Sequence, residues 1–144
     1  MVACAAAKLD RPDPARELCV SQLFRKASAY AEATCDRWYI LSAKHGLVHP
    51  DTIIEPYDVR LGARTPGAPP VHGWAARVRD QLAAEFAGLE GVTIVALAGE
   101  QYRTALQDVP WPVEVPMKGL GIGQQLGWLT RQLAAGRRAA ASRP

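Results

Sequence analysis

Three groups of residues in this sequence have the types and spacing that chemistry needs. The first is Lys8, just past the apolar run from Val2 to Ala6. A lysine at the end of a buried strand is partly desolvated, which favours the neutral, nucleophilic amine. Such an amine can attack an electrophilic carbon, or serve as a base or an electrostatic stabiliser. The second group is Ser42-Ala43-Lys44-His45-Gly46, after a second apolar run. Ser42 can donate and accept, Lys44 can hold an anion, and His45 can exchange a proton near neutral pH. The third is Gly99-Glu100-Gln101-Tyr102 at the start of a short helix, where free N–H groups suit an anion or a carbonyl oxygen.

Two further segments add candidates. Pro50 to Asp58 is rigid and acidic. In it Tyr57 can stack on a planar base while Asp58 or Glu55 accepts from the base edge. Gly119-Leu120-Gly121-Ile122-Gly123 precedes the last helix, but lacks the downstream acid of a dinucleotide site. Of the two amides that follow, Gln124 is closer to the helix start and is the expected contact. Each group also has an ordinary structural explanation: a solvated lysine, a packed histidine, turn prolines, a first-turn acid.

Several chemistries are excluded by absence of their motifs. The sequence has no phosphate-binding loop ending in Lys-Ser/Thr, no nucleophile elbow and no HExxH. Cys4, Cys19 and Cys35 are too widely spaced for a zinc site and no histidine pair complements them. An odd count in a cytoplasmic chain points to free thiols packed as small hydrophobes. No metal and no cofactor are expected.

These groups are positioned by alternating strands and helices. Strands are expected at Val2 to Ala6, Trp38 to Ser42, Val92 to Leu97 and Val113 to Val115. A helix capped by Ser21 should run through about Ala33, presenting Leu23, Phe24, Ala27, Tyr30 and Ala31 on one side. Trp74, Val78, Leu82, Phe86 and Leu89 mark a second helix, and Glu100 to Leu106 a short third. Leu126, Leu129 and Leu133 mark the last. Segments 9–17, 43–61 and 62–73 read as loops. The predicted class is α/β, a three-layer, mostly parallel sheet of about four strands with helices on both faces. Its strand carboxyl ends would share one edge and gather the three groups there.

The chain has 144 residues, 49% hydrophobic and 22% charged, enough to form one core. A single domain over residues 1–135 is expected, followed by a flexible basic tail over 136–144. The net charge of +3 resides in that tail, since removing Arg137, Arg138 and Arg143 leaves a balanced body. The charge therefore does not mark a nucleic-acid-binding face. Without an apolar run long enough to span a bilayer, or a basic export leader, the expected location is cytoplasmic. Nothing in the composition specifies an oligomeric state.

Ala5-Ala6-Ala7-Lys8, Lys44-His45-Gly46-Leu47-Val48-His49-Pro50 through Glu55-Pro56-Tyr57-Asp58, and Leu97-Ala98-Gly99-Glu100-Gln101-Tyr102 together resemble the YaaA-related superfamily over about residues 2–133. The resemblance is nearest to its small bacterial and phage branch. It implies DNA or nucleotide as partner, and the superfamily includes a DNA-binding peroxide-stress protein. More distantly, Cys4, Lys8 and Ser21 resemble the lysine-bearing domain of archaeosine synthase, in which the lysine attacks a modified base. Here Leu9-Asp10 replaces the Pro-Tyr that follows that lysine.

The expected function is a nucleobase-directed enzyme, cleaving an N-glycosidic bond or doing related base chemistry on DNA or a nucleotide. Lys8 and His45 would be catalytic. Ser42, Lys44, Tyr57, Asp58, Gly99, Glu100, Tyr102 and Gln124 would bind substrate. The alternatives are a non-catalytic DNA-binding stress-response protein and a hydrolase of free nucleosides or nucleotides.

Overall fold

The computed structural model describes residues 1–4, 10–62 and 68–141. The segment containing Lys8 lies outside the described residues. The chain begins with β1 (Val2–Cys4), followed by β2 (Asp13–Pro14), α1 (Ala15–Leu18) and α2 (Gln22–Thr34). The Ser21 side chain accepts from the Phe24 N–H at 3.2 Å and starts α2 as its sequence predicts. After β3 (Ile40–Ser42), β4 (Gly46–Val48) and β5 (Ile53–Ile54) comes α3 (Val71–Glu85). β6 (Ile94–Val95), α4 (Glu100–Arg103), a 3-10 turn (Thr104–Leu106), β7 (Val113–Glu114) and α5 (Ile122–Ala141) complete the order.

The class is mixed α/β. The expected three-layer, mostly parallel sheet of about four strands is replaced by short ladders of mixed direction. β1 pairs with β3 in parallel, β3 with β4 antiparallel, β2 with β5 antiparallel, and β6 with β7 in parallel. A single parallel bridge, Val2 to Leu97, links the β1 ladder to the β6 segment. Two local causes shorten the strands. Gly46, at φ 74°, turns the chain straight back after β3 and adds an antiparallel neighbour. Pro112 and Pro116 bracket β7, and neither has an N–H to extend a ladder.

Alternate strand residues enter two apolar clusters. Leu41, Ala43, Ile94 and Ala96 join Trp74, Ala75, Val78 and Leu82 of α3. Val2, Cys4, Ile40 and Leu97 join Phe24, Ala27 and Ala31 of α2 and Leu129 of α5. Side chains that alternate along a strand thus bury against helices on opposite sides. α2 and α5 are locked by the Tyr30 and Trp128 rings, edge to face with centroids 5.1 Å apart. The Lys26 ammonium also bonds the Thr130 hydroxyl across this seam.

Two expectations need correction. Segments read as loops contain β2, α1, β4 and β5. α5 itself runs to Ala141, into the segment expected as the basic tail. Cys4 and Cys19, expected as free thiols, form a disulfide with Cα atoms 6.1 Å apart, inside the usual bridging range. Cys35 is free. No helix among the described residues is long and apolar enough to cross a membrane.

Candidate functional site

The end of β3 carries the densest polar arrangement. Ser42 is wholly buried, the one buried polar side chain recorded among the described residues. A buried hydroxyl must be satisfied, and this one is used twice. Its Oγ donates to the Tyr57 phenol at 2.6 Å and accepts the His45 N–H at 3.1 Å. The Ser42 carbonyl accepts the Trp74 indole N–H at 2.8 Å, which ties the strand end to α3.

The turn from Ala43 to Gly46 is held from the other side by α3. Gln81 donates to the His45 carbonyl at 3.2 Å and accepts the Leu47 N–H at 2.8 Å. Arg77 donates to the Lys44 carbonyl at 2.7 Å. Gly46 is required here for two reasons. Its φ is in the left-handed region, and a Cβ would lie 2.3 Å from the Gln81 Oε1.

His45 and Tyr57 are brought together by this scaffold. Their rings meet edge to face with centroids 5.5 Å apart. The imidazole Nε2 is buried and has no hydrogen-bond partner among the described residues. Burial pushes the His45 pKa below its usual value, and the Lys44 and Arg77 charges push it the same way. The imidazole is therefore neutral at pH 7. Burial raises the Tyr57 phenol, opposed by the hydrogen bond from Ser42. Tyr102 packs edge to face on Trp74, 5.5 Å between centroids, and is pushed up to about 12 by burial and then by Tyr57. Both phenols keep their protons.

The other predicted residues are placed less centrally. Lys44 is exposed and reaches the site through its charge. Asp58 is exposed and makes no ion pair among the described residues. Tyr57 is buried, 9% exposed. Gly99 and Glu100 stand at the end of the β6 segment, on the wall of a cavity of about 170 Å³. Tyr102 and Gly99 line a neighbouring cavity of about 240 Å³. Gln124 is exposed and its Oε1 accepts the Gly121 N–H at 3.0 Å, closing the start of α5. Gln125, one residue on, lines both cavities.

Sequence reasoning missed Trp74, Arg77 and Gln81, which hold the His45 turn. Trp74 carries the one usable signal, since a buried indole N–H needs an acceptor. Arg103, on the polar cavity wall, also went unnoticed. Among the described residues no three His, Cys, Asp or Glu side chains gather as a metal site.

No solved structure matches this chain. It is 31% identical over 121 residues to the uncharacterized protein YfjM of Bacillus subtilis (strain 168), spanning 76% of this chain and 75% of that protein. The family of unknown function DUF6884 is matched over residues 1–131. The chain belongs to the DUF6884 family.

Proposed function

We propose that this protein is an enzyme acting on a nucleobase-bearing substrate, with hydrolysis of an N-glycosidic bond as its reaction and His45 as general base. The observation that carries the reading is the His45 Nε2, buried beside the Ser42–Tyr57 pair and without a hydrogen-bond partner among the described residues. A neutral imidazole with a free ring nitrogen is a proton acceptor in search of a donor. In the reaction, Nε2 takes a proton from water as the water oxygen attacks the sugar C1′. The C1′–N bond breaks with its electron pair passing to the base, and the imidazolium returns the proton to the departing ring nitrogen. The net change is addition of water across one bond.

The remaining parts have consistent roles. Ser42, Tyr57 and Gln81 are positioning residues, which fix the turn that presents the imidazole. Lys44 and Arg77 supply positive charge that favours an anionic sugar-phosphate nearby. Lys8, assigned from sequence alone, would act as nucleophile or stabilise the negative charge that develops on the departing base. In this reading the β4–β3–β1 ladder and the β6–β7 ladder act as one sheet through the Val2–Leu97 bridge, with helices on both faces and the site at its carboxyl edge. The resemblance of residues 44–58 to the YaaA-related superfamily also supports a nucleic-acid or nucleotide substrate.

The test is release of free base from a panel of nucleosides, nucleotides and single-stranded oligonucleotides. His45→Gln and Lys8→Ala should each lower turnover by about 10²–10⁴-fold while the thermal midpoint stays near wild type. The acid limb of the wild-type profile should fall below the ordinary histidine value of 6.5. Full activity in both variants would refute the assignment. Duplex DNA binding with a steep salt slope and no released base would favour the non-catalytic alternative.

A further inference from the structure

Two adjoining cavities lie at the end of the β6 segment. We propose that a planar, uncharged heterocycle binds in these cavities beside Gly99, with its ring in the apolar part and its polar edge read by Glu100 and Arg103.

The two cavities share Ala98, Gly99, Met117 and Gln125 as common walls, so they adjoin at the end of the β6 segment. The larger cavity, about 240 Å³, is walled by Leu23, Phe24, Leu97, Met117 and Ile122, with Tyr102 also on its wall. The smaller cavity, about 170 Å³, is walled by Glu100, Arg103 and the backbone near Gly119. Each is below the roughly 300–1,000 Å³ that drug-sized ligands occupy, and suits one ring system.

Chemistry narrows the occupant further. Glu100 offers only acceptors, and Arg103 only donors. Neither forms an ion pair among the described residues, and Arg103 spends one nitrogen on the Ala98 carbonyl, at a long 3.4 Å. A group with donors and acceptors side by side satisfies both. A free phosphate would face the Glu100 carboxylate, and a hydrocarbon would offer neither side chain a hydrogen-bond partner. Two other features fit an open receptor. Ile122 stands 68% exposed at the rim, an apolar surface with nothing covering it among the described residues. A Cβ built on Gly99 meets nothing within 4 Å, so the wall there is bare backbone. The inference rests on the nucleobase reading above and names the surface that reads the base.

Calorimetric titration tests it, using free adenine, cytosine, thymine, uracil and hypoxanthine as probes, with toluene and inorganic phosphate as controls. Gly99→Leu fills the cleft in an extended backbone conformation that any residue adopts. The expected result is binding of at least one base by the wild type and loss of at least about tenfold in affinity in Gly99→Leu, with an unchanged thermal midpoint. Glu100→Gln combined with Arg103→Gln should weaken binding by a similar factor, whereas His45→Gln should bind normally. Unaltered base binding by Gly99→Leu overturns the cleft, as does preference for toluene or phosphate, or no base bound at all. If base binding depends on Gly99 but wild type releases no base from any substrate, the catalytic reading fails and the cleft stands. If turnover depends on His45 but base binding ignores Gly99, the cleft fails alone.

Discussion

Gly46→Ala measures how firmly the His45 turn is built. The added Cβ would lie 2.3 Å from the Gln81 Oε1, 3.2 Å from its Cδ and 3.3 Å from the Val78 Cγ2. Val78 is fully buried and cannot retreat, so the Gln81 amide must leave. Its two bonds, to the Leu47 N–H and the His45 carbonyl, are then lost, at about 1 kcal/mol each. A non-glycine residue at φ 74° costs about 1–2 kcal/mol more. The sum is about 3–4 kcal/mol, a large part of the roughly 5–15 kcal/mol that holds a domain together. Urea unfolding followed by tryptophan fluorescence reads it. The same change in a Gln81→Ala background should cost about 2 kcal/mol less, because the clash and the lost bonds are already absent. A loss below about 1 kcal/mol for Gly46→Ala, or strict additivity with Gln81→Ala, would refute the reasoning.

Two more outcomes follow from the same geometry. Tyr57→Phe removes the acceptor of the buried Ser42 hydroxyl and should destabilise by about 1–3 kcal/mol in the same unfolding assay. Its base-releasing turnover should fall much less than that of His45→Gln, since the phenol positions the turn and takes no proton. The Met1 amine donates to the Val95 carbonyl at 2.6 Å, and burial lowers its pKa from 8.0 to about 6. The unfolded chain therefore binds this proton more tightly. Its contribution to stability is present above pH 8 and is lost as the pH falls to about 6, by roughly 2–3 kcal/mol. Urea midpoints that are flat from pH 8 to 6 would contradict this.

The long elements were legible because periodicity needs length. α2 shows its cap at Ser21 and its buried side at Phe24, Ala27 and Ala31, and α3 repeats Trp74, Val78 and Leu82. A strand of two or three residues has no period to display, which is why β2, β4 and β5 were hidden in segments rich in Pro and Gly. Ser42 and His45 were legible as a polar turn at the end of an apolar run. Their link to Tyr57 spans 15 residues and depends on how an irregular segment folds back, which no local pattern encodes. The amides of the last helix illustrate a finer limit. Gln124 and Gln125 differ by about 100° around the axis. Gln124 accepts the Gly121 N–H, whereas Gln125 donates to the Leu120 carbonyl and lines both cavities.

The Cys4–Cys19 bond has a consequence for the folding reaction itself. It joins residues 15 apart in sequence. A cross-link over that span removes denatured-chain freedom worth about 3 kcal/mol. The oxidised polypeptide thus starts its search with the first strand already anchored to the helical segment that must dock on it. The reduced polypeptide has to gather the same stretch from an open coil, so the redox poise of its surroundings sets how much stability this domain holds in reserve.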